Sequence, residues 1–293
     1  PMVWQVDPRR EAAFQATWSN DTKTRWLYHN AVKRAGAAKL GDVEAVARYK
    51  RAAFHARRHG AVWGSQWTDA NFRQFPEGED PFADLRWILE SQSEHPIADE
   101  AAFLLGRSLE ASGRYTDAVV AYRDVAKRYP KSNWVSDAQA SIQEIERAVL
   151  NFSYQRSAAF RPGEPIVLSV WSRNLPDILF TAREMDLTAL VLDQRTQSDP
   201  EFSLGGIAGY LVNRKALFYT VVGREAARWK LDTADTGEHR YHRHDVTAPD
   251  AVTKEGAYYI EATGLGLSYA VVVIVSNMGV IEKVDGMQTV AWV

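Results

Sequence analysis

Cysteine is missing from all 293 residues. That absence excludes thiol nucleophiles, thiolate zinc sites, disulfides and any Cys-based cross-link. No apolar run approaches the about 18 residues needed to span a bilayer. The N-terminus has no charged segment followed by an apolar one. Gly205-Gly206 and Gly264-Leu265-Gly266 lack a phosphate-loop Lys-Ser/Thr and do not join a strand to a helix, so they are expected to be turns. Ser157, Ser169, Ser203 and Ser268 have no nucleophile-elbow motif around them.

What is present suits a globular chain: 46% hydrophobic and 25% charged residues, enough for two ordinary cores. The net charge of −2 conceals an asymmetry, because Lys and Arg outnumber Asp and Glu roughly two to one over the first sixty residues. Arg57, Arg58 and His59 belong to that basic stretch. Without interleaved aromatics or a nucleic-acid-binding motif it reads as a solvated helix face, and no nucleic-acid partner is expected.

A change of periodicity near Leu150 organises the chain. Before it, apolar residues recur every three or four positions among many alanines. After it they alternate, with β-branched and aromatic residues between Pro/Gly turns. The two patterns bury different faces, so an all-helical part followed by an all-β part is expected.

Residues 8 to 60 carry Ala12, Ala13, Phe14, Trp18, Trp26, Leu27, Ala31, Val32, Ala35, Val43, Val46, Ala47 and Phe54, with breaks near Asn20-Asp21 and Gly41-Asp42. Three helices capped by Asp are the simplest reading. From Gly60 to Pro81 the spacing is lost, and Trp63, Gly64, Trp67, Phe72, Phe75 and Pro76 crowd a turn-rich stretch. Such rings pack on neighbouring helices or stack on sugars or peptides.

Residues 99 to 130 are more specific. Gly106, Leu109, Gly113, Tyr115, Ala118, Tyr122 and Pro130 occupy positions where a 34-residue repeat needs small residues for close helix crossing, rings for filling and a terminating Pro. Pro96 lies 34 residues before Pro130. His95-Pro96 and Tyr129-Pro130 therefore read as equivalent ends of successive repeats. Phe82, Leu85, Trp87 and Leu89 belong to an earlier unit, and Trp134, Ala138, Ile142 and Ile145 to a later one. Over about seventy residues this part resembles a tetratricopeptide-repeat protein, with Ala102 where that family often has Trp. The resemblance implies a groove for a peptide or partner domain, or a spacer supporting the next domain.

In the second half, Arg161-Pro162-Gly163-Glu164 has the chemistry of a tight turn. A strand follows in which Ile166, Leu168 and Val170 form an apolar face. Further strands are expected over Ile178 to Glu184, Tyr210 to Asn213, Ala216 to Val222, Arg228 to Leu231, Tyr241 to Val246, Tyr258 to Thr263, Ala270 to Val275 and Val280 to Val284. Asp186 to Leu192 could be a helical turn or a strand. Short strands at close spacing without alternating helices indicate an antiparallel sandwich. Tyr258, two residues before Ile260, has the spacing of the corner tyrosine of immunoglobulin-like sandwiches.

This half resembles the macroglobulin-like domains near the start of bacterial alpha-2-macroglobulin proteins. The likeness rests on Phe160-Arg161-Pro162-Gly163-Glu164-Pro165, Arg173-Asn174-Leu175, Tyr241 to Pro249, Gly256-Ala257-Tyr258-Tyr259-Ile260-Glu261-Ala262 and Val271 to Gly279, in that order over about 140 residues. It implies a region of a protease trap of the bacterial envelope, periplasmic or extracellular. Such traps carry a bait segment and, in many members, a Cys–Gln thioester. Neither can be located here, so the resemblance implies a non-enzymatic support region with protein partners. The start at Pro1 and the end at Ala291-Trp292-Val293 predict a fragment of a longer protein.

Candidate chemistry is sparse. His239, His242 and His244 have metal-ligand residue types, but on a strand only His242 and His244 share a face, which is fewer ligands than zinc usually takes. Asp232, Asp235, Glu238 and Asp245 lie in polar surroundings. No catalytic, cofactor-binding or metal-binding residue is assigned, and no cofactor is expected. The expected organisation is an N-terminal helical region over 1–79, a tetratricopeptide-like repeat over 80–150, a macroglobulin-like sandwich over 151–279 and the start of a further β domain over 280–293.

Overall fold

The computed structural model describes residues 18–58, 80–153, 157–193, 196, 199–202, 206–277, 281–285 and 288–292. The chain divides between Glu146 and Arg147 into two compact units, helices in the first and mainly strands in the second. The Trp-rich stretch from Gly60 to Pro76 and the apolar positions Ala12 to Phe14 lie outside the described residues.

Six helices form the described first unit: α1 (Asn20–Ala37), α2 (Gly41–Arg58), α3 (Pro81–Ser91), α4 (Ala98–Ala111), α5 (Tyr115–Arg128) and α6 (Val135–Glu146). Two of them, α1 and α2, fall where the second and third of the three helices expected over residues 8–60 lie; the first falls outside the described residues. Ser19 rather than Asp21 caps α1, accepting from the Thr22 N–H at 3.2 Å. Asp80 caps α3 through the Phe82 N–H at 2.8 Å, with Pro81 at the helix start where its missing donor costs nothing. Each helix packs on its sequence neighbours, and α2 also reaches α4. One core runs through the stack, from Ala45, Tyr49 and Ala52 through Leu85, Ile88, Ala102 and Leu109 to Tyr122, Ala138 and Ile145.

The α4–α5 crossing depends on Gly106. A Cβ there would stand 2.5 Å from Tyr122 Cε1, so only hydrogen lets the fully buried ring lie against the α4 backbone. Tyr122 Oη donates to Glu110 at 2.7 Å, and Phe103 stacks on Trp134 with centroids 4.7 Å apart. The His95-Pro96 and Tyr129-Pro130 connections are tied together: Tyr129 Oη donates to the Ser93 carbonyl at 3.2 Å, and Ser132 Oγ to Asp99 at 2.7 Å.

The basic stretch is not uniformly solvated. Arg25 and Arg51 are buried, at 1% and 5% exposure. Arg51 grips Asp84 of α3 with two hydrogen bonds of 2.7 Å, and Arg48 adds a third at 2.9 Å while lying over the Trp87 ring. Arg57 does remain exposed. The Arg58 side chain and His59 lie outside the described residues.

The second unit contains β1 (Val149–Phe152), β2 (Ser157–Phe160), β3 (Val167–Arg173), β4 (Asp177–Met185), β5 (Val222–Asp232), β6 (His242–Thr247), β7 (Gly256–Gly264), β8 (Leu267–Val275), β9 (Ile281–Asp285) and β10 (Gln288–Trp292). They form a three-stranded sheet ordered β1-β3-β6, a five-stranded sheet ordered β2-β8-β7-β4-β5, and the hairpin pair β9-β10. The first two sheets share one apolar interior: Leu150, Leu168 and Val170 from one, Phe180, Ile260, Val271 and Val273 from the other. The turn at Arg161 to Glu164 forms, with Glu164 N–H donating to the Arg161 carbonyl at 3.0 Å. Leu265 and Gly266, both at positive φ, make the two-residue β7–β8 hairpin loop.

Four expectations are corrected. Tyr210 to Asn213 and Ala216 to Val222, expected as strands, are helical as far as Val212 and Val221: α8 (Ile207–Val212) and α9 (Lys215–Val221), preceded by α7 (Leu187–Leu192). The physical reason is that Ile207, Tyr210 and Leu211 recur at helical spacing and are buried on the second face of the five-stranded sheet. Asp186 caps α7 by accepting from the Ala189 N–H at 2.8 Å, which decides for a helix at that ambiguous segment. The second unit is therefore not all-β, since α-helices are inserted between β4 and β5, and the sheet is not wholly antiparallel, because β2 pairs with β8 in parallel.

Two stability outcomes follow from these contacts. Gly106→Ala is expected to destabilise the helical unit by about 1–3 kcal/mol through the forced shift of Tyr122, read by denaturant unfolding. Asp84→Ala leaves the Arg51 guanidinium buried without its carboxylate and is expected to cost about 3–5 kcal/mol in the same assay.

Candidate functional site

The residues with the most chemical potential gather on β3 and β6. Register pairs Ser172 with His242, Val170 with His244 and Ser169 with Asp245. Alternation puts His242 and His244 on the same side of the sheet as buried Leu168 and Val170. Both rings are half-buried, with centroids 6.3 Å apart. His244 Nε2 and Ser172 Oγ lie 2.9 Å apart. His244 is thus less solvated than an exposed polar strand face would make it. Burial, with the neighbouring His242 charge added, holds its pKa below the ordinary 6.5.

This pair does not make a nucleophile and base. Ser172 is 1% exposed, so its hydroxyl is closed to a substrate. His239 stands apart, its backbone left-handed at φ 59° and its Nδ1 2.7 Å from Asn174 Oδ1. Among the described residues no group of three or more His, Asp or Glu side chains is arranged to hold a metal.

The carboxylates of this region brace loops. Asp235 accepts from the Leu175 N–H at 3.0 Å and the Gly237 N–H at 2.7 Å, and Asp232 from the Ala234 N–H at 2.9 Å. Glu238 faces Arg240 at 3.7 Å. Asp245 accepts from Ser169 Oγ and from Arg243, and the Ser169 bond first, then Arg243, keeps its carboxyl below the usual range. Ser268 donates to Glu261 at 2.5 Å. Ser203 and Gly205, and the side chain of Ser157, lie outside the described residues. Gly206 is the N-cap of α8.

Sequence reasoning missed the cover of α7 to α9. Within it Arg214 bridges Asp199 at 2.7 Å and Glu201 at 2.9 Å, and lies 3.8 Å from the centre of the Tyr210 ring. These contacts staple the connection ahead of α8. A signal was present: Val271 to Val275 and Ala257 to Ile260 are unbroken apolar runs, which a strand shows when both faces are buried. In the first unit an open depression of about 490 Å³ is lined by Asp42, Gln92, Glu94 and His95. Ile97 N–H donates to His95 Nδ1 at 3.1 Å, so this side chain also serves a turn. Among the described residues no helix is long and apolar enough to cross a membrane.

The lowered pKa of His244 sets the sign of a pH effect. Below the ordinary 6.5 the unfolded chain binds a proton that the folded chain resists, so stability is full above that pH and falls as the pH drops through it. Thermal unfolding across that window is expected to show a smaller acid loss in His244→Gln than in the unsubstituted chain.

No protein-family model matches the chain, and no curated protein matches it either.

Proposed function

We propose that this chain is a non-enzymatic scaffold region of a bacterial alpha-2-macroglobulin-like protease inhibitor, in which tetratricopeptide-like helices precede a macroglobulin-like sandwich of immunoglobulin type. The observation that carries the reading is the corner made by Tyr258, whose Oη donates to the Lys254 carbonyl at 3.0 Å. A tyrosine at the start of a strand, two residues before a core position and bonded back to the preceding loop, is what that class of sandwich uses to pin its corner. Ile260, in the core position, is fully buried. Two sheets sharing one interior and the formed Arg161 to Glu164 turn support the same reading.

For the helices, support comes from the Gly106–Tyr122 crossing and the tied connections at Pro96 and Pro130. The helical cover over the five-stranded sheet departs from a plain sandwich. By resemblance the setting is periplasmic or extracellular and the partners are proteins. A second reading, a free-standing tetratricopeptide-type adaptor, draws on uncovered aliphatic residues of α2, Val43 and Val46.

The parent reading frame distinguishes the two. The inhibitor reading expects it to run well past Val293 into further sandwich domains. A stop codon immediately after Val293 would overturn it.

A further inference from the structure

The two histidines of β6 put a titrating pair on the strand of the three-stranded sheet that is held from one side only. Among the described residues the β6 ladder runs to β3 alone, from His242 opposite Ser172 to Thr247 opposite Val167. His242 and His244 are the first and third of its six residues and point, with Val246, to the side that packs on the sandwich interior. Arg243 and Asp245 alternate to the outer face, where both are exposed. The first half of the strand thus offers the interior two imidazoles. Its far end is anchored by Val246 and by Ala248, which is buried and donates its N–H to the Ile166 carbonyl at 2.8 Å.

The surroundings of the pair offer it no countercharge. On the same side of the sheet β3 presents Leu168, Val170 and Ser172, and β1 presents Leu150 and Phe152, so no carboxylate of these strands faces the rings. On the interior side of the facing sheet the titratable groups are Tyr258, bonded to the Lys254 carbonyl, and Glu184 opposite it, paired with Arg224 at 2.8 Å. Arg173 and Tyr241 stack on each other on the outer side. Burial first, then the charge of His242, disfavours a proton on His244. With β6 off β3 both rings are hydrated and take up protons more readily, so acid favours release. Attachment is full above the ordinary 6.5 and weakens as the pH falls through it. The outer-face bonds of Asp245 to Ser169 and Arg243 oppose release throughout that window, because the Ser169 bond holds the Asp245 carboxyl below the usual range.

We propose that β6 is an acid-released strand. In mild acid the His242–His244 pair charges, with ring centroids only 6.3 Å apart, and the first half of β6 leaves β3 about its Val246–Ala248 anchor. The edge of β3 and the apolar residues behind it open while the five-stranded sheet stays closed, a local opening rather than unfolding of the unit. The inference concerns the second unit alone and is independent of the protease-trap reading, which the reading frame tests separately.

Hydrogen exchange of the full chain, followed by mass spectrometry at about pH 8 and about pH 5 and corrected for intrinsic exchange rates, is the test. Peptides covering residues 242–247 are expected to lose protection by about tenfold or more in acid. Those covering 167–172 should follow in part, since β3 keeps its bonds to β1, and those covering 257–264 and 267–275 should hold. His242→Gln with His244→Gln removes the charge and keeps a polar side chain; referred to its own protection at the higher pH, it should show no such loss. His239→Asn, outside the pair, should open as the unsubstituted chain does. The unsubstituted chain carries the test even where a variant fails to fold: no acid loss in 242–247, or an equal loss in 257–264 and 267–275, overturns the proposal. An acid loss in the double variant as large as in the unsubstituted chain, or its disappearance in His239→Asn, overturns it as well.

Discussion

A strand in which every residue is apolar has to be covered on both faces, and Val271 to Val275 imposes that requirement on the second unit. Val271, Val273 and Val275 face the interior shared with the three-stranded sheet, while Val272 and Ile274 face α7 to α9. The neighbouring β7 divides the same way, Tyr258 and Ile260 to one side, Ala257 and Tyr259 to the other. Burying a side chain of this size stabilises by roughly 1.5–3 kcal/mol. Leaving Val272, Tyr259 and Met185 open to water would forfeit that on a whole sheet face. The α7 to α9 cover is thus as much a part of the fold as the second sheet, and the central β7–β8 pair is the layer on which both cores are built.

The helical unit solves the equivalent problem with a different period. A helix buries one stripe at a time, so a stack of helices needs close crossings where the stripes meet. Gly106 supplies one by giving up its side chain to the Tyr122 ring. The ring brings a hydroxyl into the interior, and Glu110 accepts its hydrogen bond at 2.7 Å. Burial and that carboxylate together push the Tyr122 phenol well above its ordinary pKa, so it stays a neutral donor at any physiological pH. Tyr49 and Glu100 repeat the arrangement between α2 and α4. In both places polar atoms that could have weakened the core join neighbouring helices instead.

These two periodicities were legible without coordinates, and so were the residues that announce a conformation by their own chemistry. Pro162-Gly163 marks a turn, and Gly106 with Tyr122 marks a close helix contact. The failures have a common cause. Ile207, Tyr210 and Leu211 satisfy helical spacing over too few residues for the pattern to outweigh the β-branched and aromatic residues around them. The decisive information lay elsewhere in the chain, in the double-sided runs of β7 and β8, because a partner for their second face had to exist. Parallel pairing of β2 with β8 was hidden for a similar reason: strand direction is a property of the connection and leaves no mark in four residues. At the candidate site, spacing correctly separated His239 from the other two histidines. It could not anticipate that the partners of β6 would turn His242 and His244 toward the interior and shut Ser172 off from solvent.

The basic N-terminal helices show why a count of charges says little until burial is known. Arg51 and Asp84 are withdrawn from water and matched by paired hydrogen bonds, an arrangement that contributes geometry more than net energy, because desolvation offsets most of the attraction. Its directional demand fixes how α3 lies on α2, since a planar guanidinium accepts a carboxylate in few orientations. Arg48 extends the pair and shields it with the Trp87 ring. With those cations committed to the fold, Lys50 and Arg57 are the exposed cations of α2 among its described side chains. The same charge excess thus divides into a part that orients helices and a part that stays in solvent, and burial, which the linear sequence does not display, is what separates them.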